Sequence, residues 1–244
     1  MDILDSTDPS AISVTEAIRK GDIPALRRLL ADHPALATSR ISQDGRAAGQ
    51  RSLLHIATDW PGHHPRADAV IATLAAAGAD PDARFVGAHT ETPLHWAASN
   101  DDVIAVDALI AAGADIEASG AVIGGGTPLA DARGFGQWRA ARRLLEHGAR
   151  ADLQDAATLG LLAQVEAFLA APDSPTASEL TSAFWGACHG GQLRTAERLL
   201  QLGAQVNWIG YDDMTPLDIA RAQGAGDVVQ WLLTQGAKAR ADLG

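Results

Sequence analysis

The sequence predicts an all-α repeat solenoid of stacked helix-turn-helix units joined by β-hairpin or loop fingers. A Thr-Pro-Leu segment begins at Thr92, Thr127 and Thr215, and a weaker copy begins at Ser52. A leucine-rich stretch follows these segments and ends in a Gly-Ala pair, whose glycines are Gly78, Gly113, Gly148, Gly203 and Gly236. Self-similarity at a period of about 33 residues is the signature of an architecture in which each unit packs on its neighbours.

The physical chemistry of one unit supports this prediction. The Thr92 hydroxyl can cap a helix, and Pro93 suits the first helical position, where its missing N–H costs no hydrogen bond. Small and apolar residues follow on one face, which lets a neighbouring unit approach closely. A second apolar helix runs over residues 103–110, and Gly113 ends it as a left-handed residue. Such a helix pair cannot bury its own apolar face, so stacking is required.

The Thr-Pro-Leu-His and Gly-Ala-Asp signatures together resemble the ankyrin repeat, and the resemblance covers nearly the whole chain. It implies a single domain over residues 1–244, with seven repeats that begin near residues 12, 52, 92, 127, 151, 182 and 215. The first and fifth repeats are degenerate. Extra residues lie in Arg40–Gln50 and Trp60–Pro65, whereas the short link between the fourth and fifth repeats leaves little room for a finger.

The composition argues against several classes of protein, including nucleic-acid-binding, disulfide-bonded and membrane-spanning proteins. The 244 residues carry 19 Lys and Arg against 30 Asp and Glu, a formal net charge of −11 that repels phosphate backbones and argues against nucleic-acid binding. Cys188 is the single cysteine, so no internal disulfide can form, and a reducing compartment is expected. No apolar run reaches the ~20 residues that span a bilayer, and the acidic N-terminus is unlike a signal peptide. We therefore expect a cytoplasmic protein, and the arginine-rich, lysine-poor basic residues suggest a bacterial source.

In ankyrin-like proteins the finger tips and the exposed positions of each first helix form a concave groove. The positions of this sequence that match the groove are unusually rich in aromatic residues, and the candidate binding residues are Trp60, Phe85, His89, Trp96, Asn100, Phe135, Trp208 and Tyr211. Other positions expected to face the groove are Ile56, Asp59, Ser99, Gly134, Gly186 and Gly190. Packing of long fingers against one another explains Phe85, Trp208 and Tyr211 equally well, whereas the groove is favoured for Trp60 and Trp96.

Three titratable residues are candidates for catalysis. Glu91, Asp131 and His189 belong to the third, fourth and sixth repeats and could converge across a curved groove, where paired acids can act as acid and base. His55 and His95 occupy the histidine position of the Thr-Pro-Leu-His motif, for which the resemblance implies structural hydrogen bonds between repeats. No histidine or carboxylate cluster has the convergent ligands of a metal site, so neither a metal nor a cofactor is expected.

Two functions from different classes follow. The favoured one is a binding module that recognises a protein or peptide partner through an aromatic, acidic groove, with a basic or neutral partner favoured by the negative charge. The alternative is a small-molecule-binding protein or enzyme, in which the same aromatic walls hold a sugar-like or planar ligand beside Glu91, Asp131 and His189. Oligomeric state and the roles of the two insertions are left open by the sequence.

Overall fold

A computed structural model of the chain describes residues 2–42 and 49–244. Residues 43–48, within the predicted insertion Arg40–Gln50, lie outside the described residues. The chain forms two units, residues 1–150 and residues 151–244. Each unit is built from pairs of consecutive helices, as the repeat pattern predicts, and each is described here by itself.

The first unit contains four helix pairs in its described part. Their bounds are α1 Pro9–Lys20 and α2 Ile23–Asp32, α3 Leu53–Thr58 and α4 Ala67–Ala76, α5 Pro93–Ser99 and α6 Val103–Ala111, and α7 Pro128–Gly134 and α8 Trp138–Glu146. The first helices pack in sequence, α1 on α3, α3 on α5 and α5 on α7, and the second helices pack in the same order, α2 on α4, α4 on α6 and α6 on α8. Leu54, Leu94 and Leu129, all without solvent exposure, fill the space between successive first helices.

The second unit contains three helix pairs. Their bounds are α9 Leu153–Thr158 and α10 Leu162–Leu169, α11 Ala177–His189 and α12 Leu193–Gln201, and α13 Pro216–Ala222 and α14 Gly226–Thr234. Helix α11 lies between α9 and α13 and packs on both. Phe184 and Leu217 are buried in the resulting core, together with the free thiol of Cys188. Burial raises the pKa of that thiol, so Cys188 is held in its neutral form.

Helix starts and ends follow the predicted chemistry. Thr92, Thr127 and Thr215 stand at the N-cap positions of α5, α7 and α13, each followed by proline at the first helical position. Gly113, which follows α6, adopts a φ of +94°, the left-handed conformation that the sequence predicts for it. Asp101, in the tight turn between α5 and α6, also has a positive φ, of +53°.

The first unit also contains a small three-stranded sheet. Strand β1 (Ile3–Asp5) pairs in parallel with β2 (Arg40–Ser42), which pairs antiparallel with β3 (Gln50–Ser52). An isolated bridge between Gln50 and Val86 joins β3 to the finger that precedes α5. The sequence did not predict β1, because a three-residue strand has too few residues to show an alternating pattern.

Two features differ from the sequence-based expectations. Helix α11 begins at Ala177 rather than near residue 182, because Thr176 and Glu179 form a capping box that supplies an additional N-terminal turn. The prediction that Ile56 faces the groove is wrong, because its side chain is 1% exposed and belongs to the core of the first unit. Among the described residues, no helix is long and apolar enough to cross a membrane.

Candidate functional site

Three consecutive first helices of the first unit share a pocket that is open to solvent. The cavity has a volume of about 220 Å³. Its lining residues are Asp59, Trp60, Glu91, Trp96, Ser99, Asn100 and Phe135, hereafter the Trp60–Trp96 pocket. Trp60 is 79% exposed and Phe135 is 48% exposed, so two large aromatic side chains face water at its rim.

Trp60 follows the end of α3, and its backbone is held by Asp59, which itself forms two ion pairs. Its backbone N–H donates to Asp59 Oδ1 at 3.0 Å. The other carboxylate oxygen of Asp59 lies 2.6 Å from an Arg51 guanidinium nitrogen and 3.3 Å from one of Arg19. The charge of Asp59 is therefore balanced by two arginines of the first unit.

The insertion that follows Trp60 is bonded to the next repeat. The His63 N–H donates to Asp102 Oδ2 at 2.6 Å, and His63 Nε2 lies 3.0 Å from the Asn100 carbonyl oxygen. The Asn100 side-chain amide donates to the Thr58 carbonyl at 2.9 Å. The structure thus gives Asn100, a predicted binding residue, a structural role in holding this part of the pocket wall.

Trp96 forms the inner wall and is half-buried. Its ring lies 4.8 Å from the His55 ring and 5.5 Å from the Phe85 ring, measured between centroids. Its indole Nε1–H donates to Glu91 Oε2 at 3.2 Å. This contact fixes the direction of the Glu91 carboxylate, which is itself almost fully buried at the base of the pocket.

Glu91 and Asp131 come together, as two of the three predicted catalytic candidates were expected to do. Asp131 lies in α7 with no solvent exposure, and its Oδ1 accepts the Ile123 N–H at 3.1 Å. Burial raises the pKa of Asp131 to about 7, the Ile123 amide opposes that rise, and the charge of neighbouring Glu91 adds to it. The Asp131 carboxyl is also hydrogen-bonded to the Glu91 carboxyl, which adds to the rise in pKa, and no other donor in the described part of the chain reaches its Oδ2.

His55 and His95 have the structural role that the resemblance implied. His95 Nδ1 accepts the Thr92 N–H at 3.1 Å, which leaves Nε2–H to donate to the Gly126 carbonyl at 3.3 Å. His55 Nε2 likewise lies 3.1 Å from the Glu91 carbonyl oxygen. Burial lowers the pKa of His55 to about 3 and that of His95 to about 4, so both rings are neutral at physiological pH.

Phe85 is held inside the finger rather than at its surface. A Cβ atom on Gly49 or on Gly87 would overlap the Phe85 ring, so glycine is needed at both positions to leave room for the ring. The Phe85 N–H also donates to the Glu91 carbonyl at 2.8 Å. His89 lies exposed at the tip of the same finger. The finger thus places Glu91 and leaves His89 on the surface.

The remaining predicted site residues lie in the second unit. The Tyr211 ring packs 5.2 Å from the Trp185 ring and 5.9 Å from the Trp208 ring, in both cases edge to face. The Tyr211 hydroxyl lies 3.1 Å from Ser182 Oγ. His189 is 5% exposed, and its ring lies 5.4 Å from that of Trp185.

Trp185, the centre of this aromatic cluster, was missed by the sequence reasoning. Its indole N–H donates to the Met214 carbonyl at 2.9 Å, which ties α11 to the segment before α13. Its position next to Gly186, in a helix flanked by the aromatic finger Trp208–Tyr211, was the available signal. Helical spacing alone did not indicate which of these side chains turns inward.

Other cavities of the two units have different lining residues. One of about 800 Å³ lies between α2 and α4 and is lined mainly by alanines, with Arg27 and Arg66 but no aromatic side chain. One of about 340 Å³ in the second unit is lined by Leu153, Phe168 and three carboxylates. Within the described ranges, no group of three or more His, Cys, Asp or Glu side chains is arranged to hold a metal ion.

Repeated helix pairs with fingers between them and histidine links between neighbours define a helical-repeat protein. The family model described as "Ankyrin repeat" matches residues 89–121, and that described as "Ankyrin repeats (many copies)" matches residues 185–233. The crystal structure of the human ASB11 ankyrin repeat domain is similar, with a TM-score of 0.52 and 22% identity, over 91% of this chain and 96% of that chain. No curated protein sequence matches significantly. Two segments of the chain therefore match ankyrin-repeat models, and the chain has the fold of an ankyrin-repeat domain. Ankyrin repeats are generally protein-interaction modules.

Proposed function

We propose that the protein is a binding module that recognises a protein or peptide partner on the first-helix face of its first unit, with the Trp60–Trp96 pocket at the centre of contact. The observation that carries this proposal is the exposure of Trp60 and Phe135 on either side of one open cavity. Exposed aromatic side chains that meet in a pocket are typical anchors of an interface, because they bury large apolar areas on association.

The support around these anchors is rigid. Trp96 is packed against His55 and Phe85, and the loop after Trp60 is bonded to Asn100 and Asp102. A preformed pocket lowers the entropy cost of binding, because few side chains must be ordered when the partner arrives. The net charge of −11 favours a basic or neutral partner, whose association is expected to weaken as salt rises.

Selection of peptides tests this proposal. A displayed library of random peptides is selected on the immobilised protein, and the affinities of the enriched peptides are then measured by calorimetry. Trp60→Ala and Phe135→Ala are each expected to weaken binding by at least about tenfold, or ~1.4 kcal/mol. Ile104→Ala is the matched control, since Ile104 is an exposed apolar residue of α6 outside the pocket. Enrichment of no peptide, or equal affinity in all three variants, would contradict the proposal.

One observation favours the alternative, a small-molecule site with acid–base chemistry. Glu91 and Asp131 share a buried environment in which the pKa of Asp131 is raised, an arrangement that can separate an acid from a base. Thermal unfolding against a panel of sugars and planar aromatic metabolites tests it, because a ligand at 100 times its Kd adds about 2.7 kcal/mol. A stabilising compound whose effect is lost in Trp96→Phe would favour this alternative over peptide binding.

A further inference from the structure

The base of the Trp60–Trp96 pocket carries two carboxyls, of Glu91 and Asp131, that no basic side chain of the described residues balances. Among the described residues, neither Glu91 nor Asp131 forms an ion pair, whereas Asp59 on the opposite wall is bound by Arg51 and Arg19. The wholly buried Asp131 carboxyl is hydrogen-bonded to the Glu91 carboxyl, and this bond adds to the rise of the Asp131 pKa to about 7. The two carboxyls therefore share one proton near neutral pH, and within the described ranges the remaining negative charge has no compensating cation.

The walls above this acid pair suit a cation better than an anion or a neutral polar group. Trp60, Trp96 and Phe135 line the pocket, and the π-face of an aromatic ring carries partial negative charge that attracts a cation. The aromatic rings and the Glu91 carboxylate therefore both attract a cation that enters the pocket. A hydrocarbon chain ending in a positive charge satisfies both, because its methylene groups can contact the rings while the charge reaches Glu91.

The geometry of Glu91 distinguishes between the two basic side chains. Its Oε2 already accepts the Trp96 indole N–H at 3.2 Å. A guanidinium pairs best with both oxygens of one carboxylate through a planar fork, and would compete with the indole for Oε2. An ammonium group is a compact charge that needs only one oxygen, so it does not require both oxygens of Glu91.

We infer that the Trp60–Trp96 pocket binds the ammonium group of a lysine side chain presented by the partner protein, an assignment that rests on the proposed function. Glu91, backed by Asp131, receives the charge, and Trp60, Trp96 and Phe135 surround the hydrocarbon stem. The lysine is the specificity determinant of the interaction, and the remaining contacts on the first-helix face add area around it.

The Trp96 indole N–H reports directly on this site. Its ¹H–¹⁵N resonance, assigned with Trp96→Phe, is followed while n-butylammonium chloride is added as a mimic of the lysine side chain. A saturable shift is expected, because a cation at Glu91 withdraws electron density from the acceptor of that indole. 1-Butanol and sodium chloride at the same concentrations are the neutral and ionic controls, and neither is expected to saturate.

Charge-neutralising variants test the assigned residues. At pH 8, above the Asp131 pKa of about 7, Glu91→Gln and Asp131→Asn each remove one negative charge, keep the shape of the side chain and are expected to weaken n-butylammonium binding by about tenfold. Glu146→Gln makes the same change in net charge on the exposed surface of α8 and is expected to leave the affinity unchanged. Unaltered binding in both pocket variants, or an equal response to 1-butanol, would overturn the inference.

The peptides selected above separate this inference from the proposed function. If a selected peptide loses at least about tenfold in affinity when one lysine is replaced by norleucine, both are supported. If peptides need Trp60 but tolerate every lysine-to-norleucine change, or if n-butylguanidinium binds more tightly than n-butylammonium, the lysine assignment fails and the binding module stands. If the free amine binds but no peptide is enriched, the pocket serves a small amine, and both are overturned.

Discussion

His55 Nε2 lies 3.1 Å from the main-chain carbonyl oxygen of Glu91, the residue whose side chain forms the base of the Trp60–Trp96 pocket. The histidine that joins one repeat to the next therefore also fixes the backbone from which the pocket carboxylate extends. In this chain the stacking of repeats and the position of the candidate binding residues depend on the same hydrogen bond.

His55→Ala is expected to lower the free energy of unfolding by about 2–4 kcal/mol. The substitution removes a wholly buried ring and leaves the Glu91 carbonyl without this partner. Urea denaturation at pH 7 measures the effect. His89→Ala, at an exposed finger tip, is the control and is expected to change stability by less than about 0.5 kcal/mol. Equal stability of the two variants would show that the His55 link contributes little.

Asp131→Asn is expected to stabilise the protein at pH 8 by roughly 1–4 kcal/mol. The folded-state pKa of Asp131, about 7, lies above the unfolded value, so the wild type is most stable with this group protonated. That stability is fully present below about pH 4 and is lost as the pH rises to about 7. The advantage of the variant should therefore shrink as the pH falls from 7 to 4, as denaturation at several pH values can measure.

Asp107→Asn provides a control of opposite sign. The Arg143 guanidinium holds the pKa of Asp107 below its usual range, so this carboxylate stabilises the folded state above about pH 4. The variant is expected to be less stable than the wild type at pH 8, and the difference should disappear as Asp107 becomes protonated in acid. An Asp131→Asn variant that behaved like Asp107→Asn would contradict the buried, raised-pKa environment of Asp131.

Phe85 and Trp60 are expected to respond differently to truncation. Phe85→Ala should lower the free energy of unfolding by about 1–3 kcal/mol, because the ring packs on His55 and Trp96. Trp60→Ala removes a side chain that is 79% exposed and should change stability by less than about 0.5 kcal/mol. Thermal and urea denaturation of both variants test the comparison. A large loss of stability in Trp60→Ala would mean that its ring supports the fold.

Gly190→Ala is expected to destabilise the second unit by at least about 2 kcal/mol. A Cβ atom there would overlap the main-chain oxygen of Thr158, and backbone cannot move aside as a flexible side chain can. Gly226→Ala is the matched control, since the space around Gly226 is open and alanine favours the helix by about 0.5–1 kcal/mol. Thermal denaturation of the two variants should give shifts of opposite sign.

The sequence was sufficient to predict the fold because residues within each repeat indicate where its helices begin and end. Thr92-Pro93 marks a helix start and Gly113 marks a helix end, and both rest on local backbone chemistry that holds in any context. The first helix of the sixth repeat was placed too late because its capping box, Thr176 with Glu179, stands outside the family motif.

The candidate site was harder to predict because exposure is decided by tertiary contacts. Trp60, Trp96, Phe135 and Glu91 were all expected on one surface, and the structure places them around one cavity. Ile56 was expected there by the same reasoning, yet it is buried by packing that periodicity does not specify. For Phe85 the sequence left the groove and finger packing equally open, and in the structure the half-buried ring packs on His55 and Trp96. The contact between Glu91 and Asp131, without a basic partner among the described residues, could not be predicted, since it depends on which carboxylate the neighbouring arginines engage.

The central claim is that a partner binds at the Trp60–Trp96 pocket. The most direct test is to map a selected peptide onto the protein by ¹H–¹⁵N spectra. The account predicts that the largest shifts fall on the indole N–H groups of Trp60 and Trp96 and on the backbone N–H of Phe135. Shifts centred instead on the second helices, α4, α6 and α8, with these three resonances unmoved, would contradict it.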